Sequence, residues 1–197
     1  MRKHPAQARS KVTVAAIIEA AARILSDQGW AGFTTNKVAD AAGVSIGSYY
    51  QYFPDKHSLI EAIRDAHLED CRRVLKKALQ GEKPLALFAE ELVDDIIAIH
   101  SVNPGLHRVL LDEAPMSESF RDPSSAFETE YLGYFHAAVV KHRTNKDGAT
   151  DEMVGVILSD AIDGVVHNAA RRGALQTAPI RNALITMIVA YLSGPTA

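Results

Sequence analysis

The sequence predicts an all-α protein, and three observations carry that reading. Apolar residues recur at three- and four-residue spacing through most of the 197 residues. No stretch keeps the strict alternation of a half-buried strand. Helix-starting residues and Gly or Pro breaks punctuate the chain at helical intervals. A composition of 47% hydrophobic and 23% charged residues supplies one sizeable core or two small ones.

The first helix follows from the stripe Val14, Ile17, Ile18, Ala21, Ala22, Ile24 and Leu25, with Gly29 as its expected stop. Thr34 to Gly43 reads as a short helix, hydroxyl-capped at its start and followed by a glycine. Ser45 caps a third helix over Ile46 to Tyr52, which Phe53-Pro54 closes. Asp55 caps a long fourth helix from Lys56 towards Leu79, with Ile60, Ile63, His67, Cys71, Val74 and Ala78 on one side. The break Gly81-Glu82-Lys83-Pro84 marks a boundary. Further helices are predicted over 85–101, 104–113, 125–146, 151–172 and 178–192, the third opened by a capping box of Ser125 and Glu128. The expected organisation is 1–57 as an N-terminal arm and head, 58–80 as a connector helix, and 81–197 as a larger helical bundle.

Charge is unevenly divided. Residues 1–57 carry seven Lys/Arg against four Asp/Glu, and the remainder carries fourteen against twenty. A basic head on an acidic body is what a chain needs if only its head meets a polyanion, although ordinary variation in surface charge gives the same count. No apolar run approaches the roughly 20 residues that span a bilayer, and no secretory core follows the basic, polar Met1 to Lys11. The single Cys71 cannot form an internal disulfide, so a reducing, cytoplasmic setting is expected, with no membrane contact.

The two short helices joined by Ala42-Gly43-Val44-Ser45 form a helix-turn-helix candidate. The second, Ile46-Gly47-Ser48-Tyr49-Tyr50-Gln51-Tyr52, holds three tyrosines in four residues and no charge. Seven residues cannot bury tyrosines on every side, so some phenolic groups reach outward, where they can donate to phosphate oxygens. Ser48 and Gln51 can read base edges, and Lys56 stands where a phosphate strand would pass. The competing reading is a plain helical corner whose tyrosines pack inward.

The run from Gly29 to Lys56, within a likeness spanning about 12–65, resembles the N-terminal signature of tetracycline-repressor-like (TetR family) transcriptional regulators. The resemblance implies three DNA-binding helices, a connector, and a ligand-binding and dimerisation domain. Residue by residue, it implies that Thr35 and Asn36 begin the helix that braces on the backbone. Ser45, Ile46, Gly47 and Ser48 start the recognition helix, Tyr50, Tyr52 and Lys56 meet phosphates, and Gln51 faces bases. Tyr49 stands where leucine is frequent and is assigned to packing, and Tyr52 stands where histidine is frequent. The basic residues Arg2, Lys3, Arg9 and Lys11 form either a minor-groove arm or a solvated tail.

In the C-terminal half, two aliphatic stripes fill a core or pair with their copies; the resemblance favours pairing, with Ile157, Ile162, Val165, Leu184 and Ile188 at a two-fold interface. It also implies an effector pocket, whose polar candidates are His67, His100, His107, Tyr131, Tyr134, Asp163 and His167. Asp163 and His167 share a helix face and suit either a ligand or metal, or a capped surface pair. Cys71 is read as a small core residue, and Pro104 to Pro115 as either a gate or a surface turn. A di-iron bundle enzyme needs Glu-x-x-His pairs, and this chain has none. The expectation is a non-enzymatic, cofactor-free repressor that binds double-stranded DNA at a palindromic operator as a homodimer and is released by a small molecule. The alternatives are a ligand-independent regulator or activator, or a helical protein-interaction module.

Overall fold

The computed structural model describes residues 8–115, 125–144, 146 and 148–194. Their ordered elements are helical: α1 (Ala8–Gly32), α2 (Thr35–Ala41), α3 (Ile46–Tyr52), α4 (Lys56–Ala78), α5 (Leu85–Ser101), α6 (Leu106–Arg108, continued by a π-helical turn Val109–Glu113), α7 (Ala126–His142), α8 (Asp151–Arg171) and α9 (Ala178–Ser193). Among the described residues there is no strand.

The described chain divides into two compact units, 8–68 with 103–115 and 69–102 with the described residues from 125 onward. In the first, henceforth the head, α1 to α3, the start of α4 and the α6 segment close over Ile17, Leu25, Phe33, Val38, Tyr49, Phe53, Ile60 and Val109. In the second, the body, α5, α7, α8 and α9 enclose Phe88, Leu92, Phe135, Val139, Leu158, Ile162, Leu184 and Ile188. The segment 103–115 is therefore not a surface turn: Leu106, Val109, Leu110 and Ala114 are buried against α1.

Local differences from expectation have local causes. Gly29 kinks α1 instead of ending it, because its φ of 66° is open to glycine and a further turn follows to Gly32. The Trp30 N–H freed by the kink donates to Glu113 Oε2 at 3.0 Å. The helix expected from 104 starts at Leu106, since the Gly105 N–H is spent on Ser26 Oγ at 3.0 Å. In the π-helical turn the Ala114 N–H donates to Val109 O at 2.7 Å, so the next carbonyl, Leu110, would look to Pro115, which has no N–H. Arg64 supplies that donor at 3.0 Å and also donates to Pro115 O at 2.9 Å and Glu61 Oε1 at 2.6 Å. Arg64 is only 2% exposed. α7 ends at His142, short of 146, because Thr144 turns away to donate to Leu192 O at 3.0 Å.

By length and composition α8 is apolar enough to cross a membrane, contrary to the expectation that no run approached that length. Its apolar side, Val154, Leu158, Ile162 and Val166, is spent on the core of the body.

Candidate functional site

The expected caps set the geometry of the α2–α3 pair. Thr34 Oγ1 accepts from the Lys37 N–H and Ser45 Oγ from the Ser48 N–H, each satisfying a donor that the first helical turn leaves free. Gly43, at φ 66°, reverses the chain, with its N–H on Asp40 O and that of Val44 on Ala39 O. Asp55 Oδ1 accepts from the Ser58 N–H at 2.7 Å at the start of α4, and that bond holds its carboxyl below the usual range. Lys37 Nζ reaches the Gln28 side chain at 2.7 Å and Gly32 O at 3.0 Å, fastening α2 to the end of α1.

α3 sorts its side chains sharply. Tyr49 is fully buried, edge-on to Tyr50 and against Phe53; its hydroxyl has no hydrogen-bond partner among the described residues, and burial raises its pKa. Tyr52, expected at a phosphate, is 7% exposed and packs in the head's core, because position 52 lies three residues after buried Tyr49, on the same inward face of α3. Ser45, Ile46, Gly47, Tyr50 and Gln51 are exposed and Ser48 partly so; on α2, Asn36 is exposed and Thr35 partly so. Thr35 Oγ1 and Tyr50 Oη lie 3.2 Å apart, and Ser45 Oγ and Ser48 Oγ 2.9 Å, so the hydroxyls of the two helices are already oriented by each other. Half-buried Lys56 places its ammonium 4.0 Å from the centre of the Trp30 ring. Of the basic arm, Arg9 and Lys11 are exposed on α1, while Arg2 and Lys3 lie outside the described residues.

The effector candidates are described unit by unit. In the head, the His67 and His107 rings meet edge-on at 4.6 Å. In the body, Tyr131 Oη donates to Asp163 Oδ1 at 3.0 Å, and the His100 and His167 rings lie 5.4 Å apart. Tyr134 instead donates to Glu130, beside Lys76. Cys71, read from sequence as core, is only partly buried, and its surroundings push the thiol up to about 12.

Of the expected dimer residues, Ile162, Leu184 and Ile188 are buried in the protomer's own core, since that stripe faces α5 and α7. Val165 is partly buried, and Ile157 is 44% exposed. Sequence reasoning missed Arg64, and it placed Glu113 in the 104–115 segment without foreseeing its bond to Trp30. Arg64 does fall four residues after Ile60 on the apolar side of α4, which was a usable signal. Nothing local marks Glu113, whose partner is 83 residues away.

Comparison with known proteins adds the following. Residues 17–63 match the family described as bacterial regulatory proteins, tetR family, and residues 84–192 match the tetracyclin repressor-like C-terminal domain. The nucleoid occlusion factor SlmA of Haemophilus ducreyi is 32% identical over 94 residues, covering 48% of this chain and 46% of that protein. SlmA of Aliivibrio fischeri is 33% identical over 106 residues, covering 53% and 54%. The chain thus spans about half the length of these curated relatives. The SlmA of Alteromonas mediterranea matches over 164 residues at 29% identity, covering 81% of this chain and 84% of its own. A TetR transcription regulator from Haloarcula marismortui superposes with a TM-score of 0.72 at 22% identity, covering 92% of this chain and 97% of that one. The fatty acid degradation regulator FadR from Bacillus halodurans does so with 0.71 at 17% identity, covering 96% and 97%. These two likenesses concern the fold.

Proposed function

The chain belongs to the tetR family of DNA-binding transcriptional regulators, and on that premise we propose that it works as a homodimer whose two α3 helices read a palindromic operator and which a small molecule releases. The observation that carries the DNA-reading part is the sorting of α3. With Tyr49 and Tyr52 spent on anchoring, the helix offers a narrow, uncharged, hydrogen-bonding surface of Ser48, Tyr50 and Gln51. Such a surface suits base edges and phosphate oxygens in a major groove, where a bulky or acidic helix would not enter.

In this reading Thr35, Asn36, Ser45, Ile46, Gly47 and Tyr50 position the helix on the backbone, Gln51 and Ser48 specify, and Lys56 grips a phosphate. Lys56 is held against the Trp30 ring, so less side-chain freedom is lost when the ammonium is taken up. Tyr52 serves as an anchor rather than as a contact. Dimerisation falls to the outer side of α8, where Met153 and Ile157 are exposed at 53% and 44%, together with Tyr191 of α9. Two copies would set the recognition helices about one duplex turn apart, roughly 34–36 Å.

Release requires only that the effector favour an arrangement in which that separation is wrong. A coupling of about 1–3 kcal/mol weakens operator binding roughly 5- to 150-fold. The 103–115 segment is a route for it: it leaves the body at the end of α5 and is pinned in the head by Arg64 and Glu113.

The test is the salt dependence of DNA binding by fluorescence anisotropy. Lys56→Ala is expected to weaken all duplex sequences alike and to flatten the log–log salt slope by about one unit. An unchanged slope removes Lys56 from the phosphate contacts.

A further inference from the structure

Within the head, one residue at the end of α1 meets two partners that are distant in sequence. At the Gly29 kink the Trp30 N–H donates to Glu113 Oε2 at 3.0 Å, across 83 residues. The other carboxylate oxygen of Glu113 accepts from Arg108, which belongs to the same 103–115 segment. A Cβ at position 29 would lie 3.1 Å from Glu113 Oε2. Glycine therefore serves twice there, since it admits the φ of 66° and leaves the carboxylate room to reach the backbone.

The side chain of the same residue holds the second partner. Lys56 Nζ, at the start of α4, lies 4.0 Å from the centre of the Trp30 ring. Phe33 lies nearly parallel to that ring at 5.8 Å, and His57 is tilted against it at 6.0 Å. A carboxylate is a strong acceptor for a backbone N–H, and the negative face of an indole ring attracts an ammonium. The carboxylate thus fixes the backbone from which the ring projects, and the ring fixes the ammonium. An acid makes no favourable contact with a phosphate, so a favourable effect of Glu113 on DNA affinity has to pass through another residue.

We propose that Glu113 is a positioning residue for DNA binding: by holding the Trp30 backbone it sets the ring that presents the Lys56 ammonium to a phosphate. Withdrawal of the 103–115 segment then loosens that grip without any contact to DNA. This rests on the reading of Lys56 as a phosphate contact and adds the residue through which the segment governs it.

The experiment is DNA binding by the full chain, followed by fluorescence anisotropy against salt, for wild type, Lys56→Ala, Glu113→Gln, Glu113→Ala and the Glu113→Ala/Lys56→Ala pair. By charge alone, removing an acid tightens DNA binding. Glu113→Ala is instead expected to weaken it at least about threefold and to flatten the salt slope by up to about one unit, as Lys56→Ala does. Glu113→Gln removes the same charge but keeps an acceptor for the Trp30 N–H, and is expected to bind more tightly than Glu113→Ala. In the Lys56→Ala background, Glu113→Ala should change affinity by less than about twofold, because the residue it acts through is gone. Equal losses with and without Lys56, or tighter binding by Glu113→Ala, overturn the proposal. Should the melting curve show Glu113→Ala unfolded, Glu113→Asp makes the same test, since it keeps the charge but falls one methylene short of the Trp30 N–H.

Trp30 is the only tryptophan of the chain, so its emission reports the ring directly. Duplex DNA is expected to shift that emission in wild type, and to shift it less in Lys56→Ala and in Glu113→Asp. An equal shift in all three, or none in wild type, overturns the proposal. An unchanged salt slope in Lys56→Ala refutes the phosphate grip and the proposal with it; a flattened slope there beside an unaltered affinity in Glu113→Ala overturns the proposal alone.

Discussion

Helices α3 and α8 spend their side chains in opposite ways. α3 turns two of its three rings, Tyr49 and Tyr52, inward and Tyr50 and Gln51 outward, whereas α8 leaves Met153 and Ile157 in water and draws a carboxyl, Asp163, into enclosing protein. The buried charges of head and body differ likewise. Arg64 is ringed by two backbone carbonyls and a carboxylate, while Asp163 has one phenolic donor and acidic neighbours. The contrast teaches that a buried charge met by several donors or acceptors is structural, whereas one enclosed among like charges makes its own ionisation costly. It also teaches that an outward polar helix suits a hydrated polyanion and an outward aliphatic one suits another protein surface.

The largest expected effect breaks the head's side of this contrast. Arg64→Ala leaves the Leu110 and Pro115 carbonyls without that donor and is expected to cost about 3–5 kcal/mol in denaturant unfolding. A loss under about 1 kcal/mol would mean that Arg64 pins nothing. Next, Ile157→Asp puts a charge on the exposed aliphatic side of α8. Sedimentation should show self-association weakened by about a hundredfold, roughly 2.7 kcal/mol, with the protomer still folded. An unaltered dimer would move the interface elsewhere.

Gln51→Ala sharpens the account of α3. Preference at one base pair of each half-site should relax by about 1–3 kcal/mol, with little change at other positions. An identical preferred sequence would leave Gln51 without a reading role. The smallest effect concerns the body's charge. Burial sets the folded pKa of Asp163 above its unfolded value, so the folded state holds the proton more tightly and ionisation at neutral pH costs stability. Asp163→Asn should therefore stabilise the ligand-free protein by about 1 kcal/mol at pH 7.5, and that gain should shrink as the pH falls through about 6 towards 4. Destabilisation at pH 7.5 would instead make Asp163 a structural group like Arg64.

The head was legible in the sequence because its determinants are local. Thr34, Ser45 and Asp55 cap within three residues, the Gly43 turn closes within five, and the likeness to TetR-family regulators covers one uninterrupted run. What escaped is what distant pairs decide. The α6 segment is drawn to the head by Ser26, Trp30 and Arg64, from 79, 83 and 46 residues away. Tyr131 finds Asp163 across 32 residues. The aliphatic stripes of α8 and α9 were visible, but periodicity alone does not say which side a second copy covers. Ile162, Leu184 and Ile188 therefore read as interface when they are core. Likewise, nothing in three tyrosines within four residues tells which two anchor and which one faces out.

The central claim is that α3, held at this angle by α1, α2 and α4, enters a DNA groove in two copies. Selection of bound duplexes from a random pool by the full chain, followed by sequencing, tests it most directly. The expected result is an enriched motif with two-fold symmetry whose half-site centres lie about 10 base pairs, or a multiple of that, apart. Enrichment of no motif at low salt, or of a single asymmetric site, would contradict it.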